Sequence, residues 1–332
     1  MKILILRFSS IGDIVLTTPV VRCLRKKYPD AEIHYATKQS FQSILKHNPY
    51  ITKLHLLGDS FKDLVAQLKQ EKFDYVIDLH HNQRTLLLKW MLGLPSRSFN
   101  KLNYEKWLMV NFKVNRLPDV HIVDRYLEAC SALGVQNDGE GLDYFLGEED
   151  NVSLSDLPAG FDKGYVGWVI GAKQHTKQLP AEKIINILNA FNGNVVLLGG
   201  KEDVTAGEEI ILKVANKGAR VFNAAGRFSL NQSASLAKQA EAIVTNDTGL
   251  MHIAAAFKKP VISVWGNTIP GFGMYPYYGQ TGVYSYQAQV GELPCRPCSK
   301  LGFEICPQGH FKCMRNQDED RILNALDLAL KK

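Results

Sequence analysis

The segment Thr245–His252 (TNDTGLMH) has the composition of a phosphate-binding turn. It follows the apolar run AIV and leads into an apolar helical pattern, which predicts a strand end, a polar turn and a helix start. Asp247 or Thr248 can cap that helix, and the backbone N–H groups at Thr248 and Gly249 would then face a bound anion. His252, about one helical turn further on, is predicted to face the same opening. An ordinary capped helix is the alternative interpretation.

A second polar turn, Ser9–Asp13 (SSIGD), follows the first apolar run of the chain. Asp13 can act as a general base at the mouth of a cleft, because a carboxylate can accept the proton of a hydroxyl nucleophile. It can equally cap a helix, a position that favours Asp. The turn lacks the GxGxxG pattern, which argues against a nicotinamide-dinucleotide site, and the sequence has no P-loop, HExxH or GxSxG motif.

Four of the six cysteines lie close together near the carboxyl end of the chain: Cys295, Cys298, Cys306 and Cys313. The two-residue gap between the first two is typical of a zinc knuckle, but the other spacings are not those of a standard finger. A structural zinc ion, reduced thiols packed in a loop, and disulfides or a redox role all stay open. In each case we expect these residues to hold a loop together and to take no part in catalysis.

The elements that position these turns are strands and helices in alternation, which predicts parallel sheets covered by helices on both faces. Residues 136–164, rich in Gly, Pro and acidic residues, separate two such series. We therefore predict an α/β protein with Rossmann-like domains over 1–155 and 160–317. A terminal helix over 318–332 is expected to pack back toward the first domain. Ligands bind beyond the carboxyl ends of parallel strands, where both polar turns are predicted to lie.

The composition is that of a globular protein, with 332 residues, 45% of them hydrophobic and 22% charged. No apolar run approaches the ~20 residues that span a bilayer, and no signal peptide is recognisable, so we expect a cytoplasmic location. The net charge of +6 suits a polyanionic ligand or an anionic membrane surface. The densest basic run either complements a helix C-terminus or contacts phosphorylated lipid; it comprises Arg22, Arg25, Lys26 and Lys27.

Two longer segments resemble the signatures of one family. KILILRFSSIGDIVLTTPVVRCLRKKYPDAEIHYAT and AIVTNDTGLMHIAAAFKKPVISVWG are similar to the amino- and carboxy-terminal signatures of the ADP-heptose:lipopolysaccharide heptosyltransferases, glycosyltransferase family 9. The resemblance implies a GT-B fold, in which two Rossmann-like doubly wound domains face each other across a cleft. It implies inverting transfer of a heptose from ADP-heptose to the lipopolysaccharide inner core, without a catalytic metal and with weak peripheral contact to the inner membrane.

The resemblance also assigns roles to particular residues. Asp13 matches the general base, and the donor-binding positions are matched by Lys177, Glu202, Phe228, Asp247, Thr248, Gly249 and His252. For an anionic acceptor we expect two arginines at strand tips and the polar turn of the first domain to provide contacts: Arg7, Arg84, Ser9, Ser10 and Gly12. Phe228 differs in type from the family residue, and Ala172 and Lys173 stand where many members carry hydroxyl residues.

Three alternatives stay open. The first is a GT-B transferase that uses another nucleotide sugar for another surface glycan, and the second is a catalytically silent nucleotide-sugar binder. The third, a nucleic-acid-binding protein, is suggested only by charge, because the sequence has no basic face interleaved with aromatic residues. We therefore expect a nucleotide-sugar donor and an anionic acceptor as partners, and no nucleic acid.

Overall fold

Two fully parallel β-sheets organise the computed structural model, which describes residues 1–331. Each sheet belongs to one of two units into which the chain divides. The first unit comprises Met1–Lys101, Val120–Gly147 and Tyr277–Thr281. The second comprises Leu102–Asp119, Glu148–Pro276 and the chain from Gly282 onward.

The first sheet has the strand order β3-β2-β1-β4-β5. Its strands are β1 (Lys2–Leu6), β2 (Glu32–Lys38), β3 (Lys53–Leu57), β4 (Tyr75–Asp78) and β5 (Ser96–Ser98). Because the chain moves outward from β1 to β3 and then returns to the other side of β1, the strand order reverses between β1 and β4. In doubly wound sheets such a switch point opens a crevice at the carboxyl ends of the strands.

The second sheet has the strand order β11-β10-β9-β6-β7-β8. Its strands are β6 (Val166–Val169), β7 (Gly193–Leu198), β8 (Ala219–Asn223), β9 (Ala242–Asn246), β10 (Val261–Trp265) and β11 (Ser285–Gln289). Its switch point lies between β6 and β9. All residues of β6, β9 and β10 are buried, as apolar strands covered by helices on both faces require.

The α-helices alternate with these strands. They are α1 (Ile11–Val15), α2 (Thr18–Lys27), α3 (Gln42–Leu45), α4 (Phe61–Gln70), α5 (Gln83–Leu92), α6 (Asn103–Phe112), α7 (Ile122–Glu128), α8 (Ala181–Ala190), α9 (Val204–Lys213), α10 (Leu230–Gln239), α11 (Gly249–Ala256), α12 (Lys312–Arg315) and α13 (Glu319–Leu330). Among the described residues, no helix is both long enough and apolar enough to cross a bilayer.

The division of the chain departs from the predicted boundaries in three places. Residues 102–119 and 148–155 were predicted in the first domain but group with the second unit, and residues 277–281 group with the first. The terminal helix α13 was expected to pack toward the first domain. In the structure it buries Ile322 and Leu326 in the core of the second unit, where it lies against α8 and the second sheet. Its apolar stripe fits that sheet, and sequence position alone does not reveal which sheet a terminal helix covers.

The basic run at the end of α2 is used within the first unit. Arg22 is 1% exposed and donates to Asp138 through Nε at 2.8 Å, and it also pairs with Asp143. Lys26 pairs with Asp138 at 2.9 Å and with Glu140 at 2.7 Å. These contacts fasten the segment after Gly134 to α2. Two of the four basic residues in the run are therefore committed to acidic partners inside the protein.

Candidate functional site

The switch point of the first sheet holds an arginine–carboxylate pair. Arg7 follows β1, and its Nη2 lies 2.6 Å from Oδ1 of Asp13 in the first turn of α1. The guanidinium also donates to the carbonyl oxygen of Ser9 from Nε at 2.7 Å, and from Nη1 to the carbonyl oxygen of Leu79 and the hydroxyl of Tyr126. One side chain thus connects the tips of β1 and β4 and fixes the direction of the Asp13 carboxylate.

Asp13 lies in a capping box at the start of α1. The backbone N–H of Ser10 donates to its Oδ2 at 3.1 Å, and the Ser10 hydroxyl donates to the same oxygen at 2.8 Å. The side chain of Asp13 is 20% exposed. The sequence left open whether Asp13 was a cap or a base, and the structure shows that capping leaves part of the carboxylate in contact with solvent.

The first-unit residues expected to contact an acceptor differ in their surroundings. Arg7 is buried, 7% exposed, and its donors are directed to protein atoms, so its geometry is that of a positioning residue. Ser10 uses its hydroxyl on Asp13, and Gly12 is buried within α1. Arg84 is exposed in the first turn of α5. Burial of Arg7 depends on Tyr126, which comes from α7, and no sequence signal identified that contact.

His80, at the tip of β4, lies next to this pair. Its ring contacts Phe8 edge to face, with centroids 5.9 Å apart. Burial, and then the nearby charge of Arg7, lowers the pKa of His80 to about 4, so the imidazole is neutral at neutral pH. Its buried Nδ1 has no hydrogen-bond partner among residues 1–331. The fully buried Asp78 fixes the turn by accepting from the backbone N–H of His80 at 3.0 Å.

The switch point of the second sheet holds a second ion pair. Lys177 lies in a 3-10 turn after β6, and its Nζ is 2.6 Å from Oδ2 of Asp247, directly after β9. The same carboxylate oxygen accepts from the Thr268 hydroxyl at 3.0 Å. Both charged side chains are partly exposed, at 17% and 13%. Two predicted donor-site residues, far apart in sequence, are therefore in direct contact, and Thr268 is an additional member of the cluster.

Asn246 connects the strands that carry this pair. Its amide nitrogen donates to the Ile170 carbonyl oxygen at 3.1 Å, beyond the end of β6. Its amide oxygen accepts from the backbone N–H of Leu179 at 3.1 Å. Asn246 is 2% exposed, so these bonds satisfy a buried amide and fix the loop that carries Lys177. The sequence placed Asn246 in the polar turn but did not identify this role.

Helix α11 begins directly at the ion pair. Thr248 is its N-cap residue, and the Thr248 side chain makes no capping hydrogen bond. The backbone N–H groups in the first turn, which starts at Gly249, therefore do not donate to that side chain and are suited to an anion. His252 lies in the same helix and is buried, 2% exposed.

Glu202 and Phe228 stand at the tips of the next two strands along the sheet. Glu202 follows β7, and its carboxylate folds against Gly200, where an added Cβ would clash with it. Phe228 is half-buried in the loop between β8 and α10. With strands about 4.8 Å apart, β9 and β8 are separated by three spacings, roughly 14 Å. The donor candidates thus form a row, in which Lys177 and Asp247 are the two joined by an ion pair.

A cavity of about 610 Å³ lies beside the tip of β6, where α8 and α9 begin. His175 and Gln178, the neighbours of Lys177, line it together with Asp203, and the predicted donor residues are not part of this lining. Burial raises the pKa of Asp203, whose Oδ2 accepts from the backbone N–H of Gly200 at 2.8 Å. The residues predicted to bind the donor therefore lie along the strand tips, and this cavity lies beside them.

The clustered cysteines lie in the long loop before α12 and in α12 itself. All six cysteines of the chain are free thiols in the part of the chain described. Cys295 Sγ lies 3.8 Å from Nε2 of His310, and burial raises the pKa of Cys298 to about 12 and that of Cys313 to about 11. Within residues 1–331, no three of these thiol and imidazole atoms come within 4.8 Å of one another.

Solved structures of other proteins share this architecture. Solved structures with the same fold include the glycosyl transferase family 9 protein from Veillonella parvula DSM 2008, at 24% identity and TM-score 0.78 over 99% of this chain and 97% of that one. The E. coli ADP-heptose lps heptosyltransferase II aligns at 21% identity and TM-score 0.73 over 100% and 99% of the two chains. The two doubly wound parallel sheets are thus those of a GT-B glycosyltransferase, which confirms the predicted fold class.

The sequence comparison gives the family. The model of glycosyltransferase family 9 (heptosyltransferase) matches residues 62–300, and the chain belongs to this family. A curated relative, lipopolysaccharide heptosyltransferase 2 of Salmonella typhimurium, is 26% identical over 295 residues, which is 82% of this chain and 84% of the relative. The predicted enzyme class is confirmed. The roles of individual residues stay predictions.

Proposed function

We propose that this glycosyltransferase transfers a heptose from ADP-heptose to an anionic acceptor of the lipopolysaccharide inner core, with inversion at the anomeric carbon. Family membership and the names of the relatives support the sugar and the acceptor class. The observation that carries the donor side is the Lys177–Asp247 pair, because it lies at the switch point beside the start of α11. The reaction is proposed to take place at the surface of the inner membrane, on its cytoplasmic side.

The donor diphosphate is proposed to bind between Lys177 and the first turn of α11. A lysine ammonium has three N–H donors, so the contact with Asp247 leaves donors for phosphate oxygens. Backbone N–H groups from Gly249 onward add partial positive charge at the helix start. Asp247 holds the ammonium in place, and the Thr268 hydroxyl donates to the same carboxylate oxygen. The nucleoside then extends along the row of strand tips past Glu202 towards Phe228.

Asp13 is proposed to act as the general base. The ionised carboxylate that pairs with Arg7 is also the form that accepts a proton. An acceptor hydroxyl gives its proton to Asp13 as its oxygen bonds to the anomeric carbon. The bond from that carbon to the diphosphate oxygen breaks on the opposite face, and ADP leaves with the electron pair. The ammonium of Lys177 and the helix start stabilise the charge that develops on ADP.

The acceptor is proposed to be anionic because Arg84 offers an exposed guanidinium in the unit that carries Asp13. Guanidinium groups bind carboxylates and phosphates in a bidentate manner, and both groups are expected on an inner-core acceptor. Ser9 and Ser10 lie in the turn that leads to Asp13. Arg7 is proposed to act on the acceptor only indirectly, by orienting Asp13.

The cysteine cluster is proposed to have a structural role, separate from the transfer reaction. A zinc ion bound by thiolates from Cys295, Cys298, Cys306 and Cys313 would hold the loop to α12. The free thiols and the short distance from Cys295 to His310 support a metal-binding cluster. The sulfur atoms are too far apart to share one ion as they stand, so zinc binding would require the thiols to move closer together. The transfer reaction is proposed to require no metal.

The test is a transfer assay with a panel of donors. The purified chain is incubated with ADP-heptose, ADP-glucose, UDP-glucose or GDP-mannose and a lipopolysaccharide core acceptor, and the product is identified by mass spectrometry. Nuclear magnetic resonance of the new linkage reports the anomeric configuration. We expect a mass increase of one heptose with ADP-heptose only, and inversion relative to the donor.

Other outcomes of this assay identify the alternatives. Transfer from a uridine or guanosine donor would replace the ADP-heptose proposal with another nucleotide sugar. Binding of ADP-heptose without transfer to any core acceptor would indicate a catalytically silent binder. Retention of the anomeric configuration would remove the role proposed for Asp13.

A further inference from the structure

Helix α6 lies in the second unit and leaves its three aromatic residues exposed to solvent. None of its residues (NYEKWLMVNF) is buried. Tyr104, Trp107 and Phe112 are 59%, 52% and 60% exposed. Their rings contact one another, with centroids 6.3 Å apart for the first pair and 5.1 Å for the second. Most helices in proteins are stabilised by burying one face, so an aromatic cluster exposed in this way indicates a partner.

A loop of the second unit contacts the segment that follows α6. The ammonium of Lys113, directly after α6, donates to the carbonyl oxygen of Pro297 at 2.8 Å. The loop that continues from Pro297 exposes Leu301 and Ile305, which are 67% and 80% accessible to solvent. We call the exposed aromatic cluster of α6 the α6 surface; it consists of Tyr104, Trp107 and Phe112.

The charges around α6 are mostly positive. From residue 101 to residue 116 the basic side chains are Lys101, Lys106, Lys113 and Arg116, and Glu105 is the acidic one. Arg116 is exposed, and among the described residues it has no hydrogen-bond or ion-pair partner. Tyrosine and tryptophan favour the boundary between lipid headgroups and acyl chains, and adjacent lysine and arginine favour anionic headgroups.

Helix α5 in the first unit has the same character. Leu86, Leu87 and Trp90 are 62%, 47% and 79% exposed, and Arg84 is exposed in the first turn. By contrast, Arg22 and Lys26 of the basic run in α2 pair with acidic residues of the same unit, which leaves fewer of its charges for lipid. In the second unit, the exposed aromatic residues of α6 thus mark the surface that suits a membrane.

We propose that the α6 surface docks on an anionic lipid bilayer, with its aromatic rings in the headgroup region and its basic residues on lipid phosphates. The lysines at 101, 106 and 113 favour a bilayer over a second copy of this chain, because lysine is depleted in protein–protein interfaces. This inference deepens the proposed function, since a lipid-borne acceptor is presented at such a surface. Its test needs neither donor nor acceptor, so the two proposals can fail separately.

The test is co-sedimentation of the full chain with vesicles that contain no lipopolysaccharide. Vesicles of phosphatidylethanolamine and phosphatidylglycerol are compared with neutral phosphatidylcholine vesicles. We expect binding to the anionic vesicles and weaker binding as salt rises, because screening reduces attraction to the headgroups. Trp168 and Trp265 are 1% exposed, so a Trp90→Phe variant reports on Trp107 by fluorescence. Its emission should shift to the blue and be quenched by brominated lipid.

Two variants separate the apolar and electrostatic contributions. The triple variant Tyr104→Ser, Trp107→Ser, Phe112→Ser should lower the partition coefficient by about tenfold or more. Arg116→Glu should lower it by roughly fivefold or more. Matched controls are Leu212→Ser, at an 83% exposed leucine of α9, and Lys217→Glu, at an exposed lysine. Both controls should bind vesicles like the unmodified chain.

Stability and turnover distinguish a lost membrane contact from a damaged protein. Because α6 buries no residue, the triple variant should keep the melting temperature of the unmodified chain and its turnover on a lipid-free core oligosaccharide. Equal vesicle binding by the triple variant and the unmodified chain would overturn the proposal. So would failure of the unmodified chain to bind anionic vesicles at ~0.1 M salt. A dimer in solution that the triple variant dissociates would instead show that a second copy covers this surface.

Discussion

Arg7 and Asp13 are joined by an ion pair of 2.6 Å between Nη2 and Oδ1, and Arg7 is 7% exposed whereas Asp13 keeps contact with solvent. The arginine is therefore the fixed partner, because it also donates to the tip of β4 and to Tyr126. The carboxylate is held in one direction at the switch point of the first sheet. This arrangement suits a base that must meet a hydroxyl group in a defined orientation.

The first prediction concerns Asp13 itself. Asp13→Asn keeps the size of the side chain but removes the proton acceptor, so turnover should fall by roughly 10²–10⁴-fold. The dissociation constant for ADP, measured by calorimetry, should stay within about twofold, because Asp13 is not a proposed donor contact. Turnover similar to that of the unmodified chain would exclude Asp13 as the base.

The second prediction separates positioning from stability at Arg7. Arg7→Met removes the guanidinium that pairs with Asp13 and donates to the Leu79 carbonyl, and should lower the free energy of unfolding by ~3–5 kcal/mol. Tyr126→Phe removes one hydroxyl contact and should cost about 1 kcal/mol. Urea unfolding measures both losses. If Arg7→Met unfolds like Tyr126→Phe, the guanidinium does not hold this switch point together.

A conservative variant tests the positioning role of Arg7 more directly. Arg7→Lys keeps the charge but cannot reproduce the fork of donors that reaches Ser9, Asp13 and the tip of β4. We expect a lower kcat with little change in the KM for the donor, because the base is misdirected while the second unit is intact. An unchanged kcat would show that any cation at this position is sufficient.

The third prediction concerns Lys177. Lys177→Ala should raise the dissociation constant for ADP by about 10- to 100-fold, because a charge-assisted contact contributes ~1.5–3 kcal/mol. Lys173, exposed in the same loop, provides a matched control, and Lys173→Ala should bind ADP like the unmodified chain. Equal effects of the two substitutions would indicate general electrostatic attraction and no specific phosphate contact.

The fourth prediction concerns pH and the buried histidines of the first sheet. Burial, and then the neighbouring His34, lowers the pKa of His55 to about 4. The unfolded imidazole, with a pKa near 6.5, takes up a proton as the pH falls from 7 to 5, whereas the native one does not. The free energy of unfolding should therefore fall by about 1–2 kcal/mol over this range through His55 alone.

A substitution identifies His55 as the source of this pH dependence. His55→Gln should reduce the loss of stability between pH 7 and pH 5, measured by urea unfolding. Glu71, which faces both histidines, has its pKa lowered to about 2 by its bond to Lys53, so its protonation destabilises the protein only below this range. An unchanged pH dependence in the variant would assign the effect to other groups, such as His80.

The fifth prediction concerns the cysteine cluster. If the thiols bind zinc, the purified chain should contain about one zinc ion, and a chelator should lower its melting temperature. Cys298→Ser should lose the metal, whereas Cys130→Ser, at a buried cysteine of the first unit, should keep it. Turnover at low temperature should survive chelation. If the chain contains no metal, its cysteines are treated with a thiol reagent after unfolding. Reaction of all six would indicate reduced cysteines, and cysteines that do not react would indicate disulfides.

The sequence by itself determined the alternation of strands and helices, the parallel sheets and the family, because each depends on local periodicity or on contiguous motifs. The family motifs also assigned Lys177 and Asp247 to the same predicted donor site. It could not determine the burial of Arg7 or its contact with Tyr126, because burial depends on which distant segments cover a residue. The exposure of α6 was hidden for the same reason: an apolar helical pattern predicts a buried face, and only the tertiary structure shows whether another element covers it.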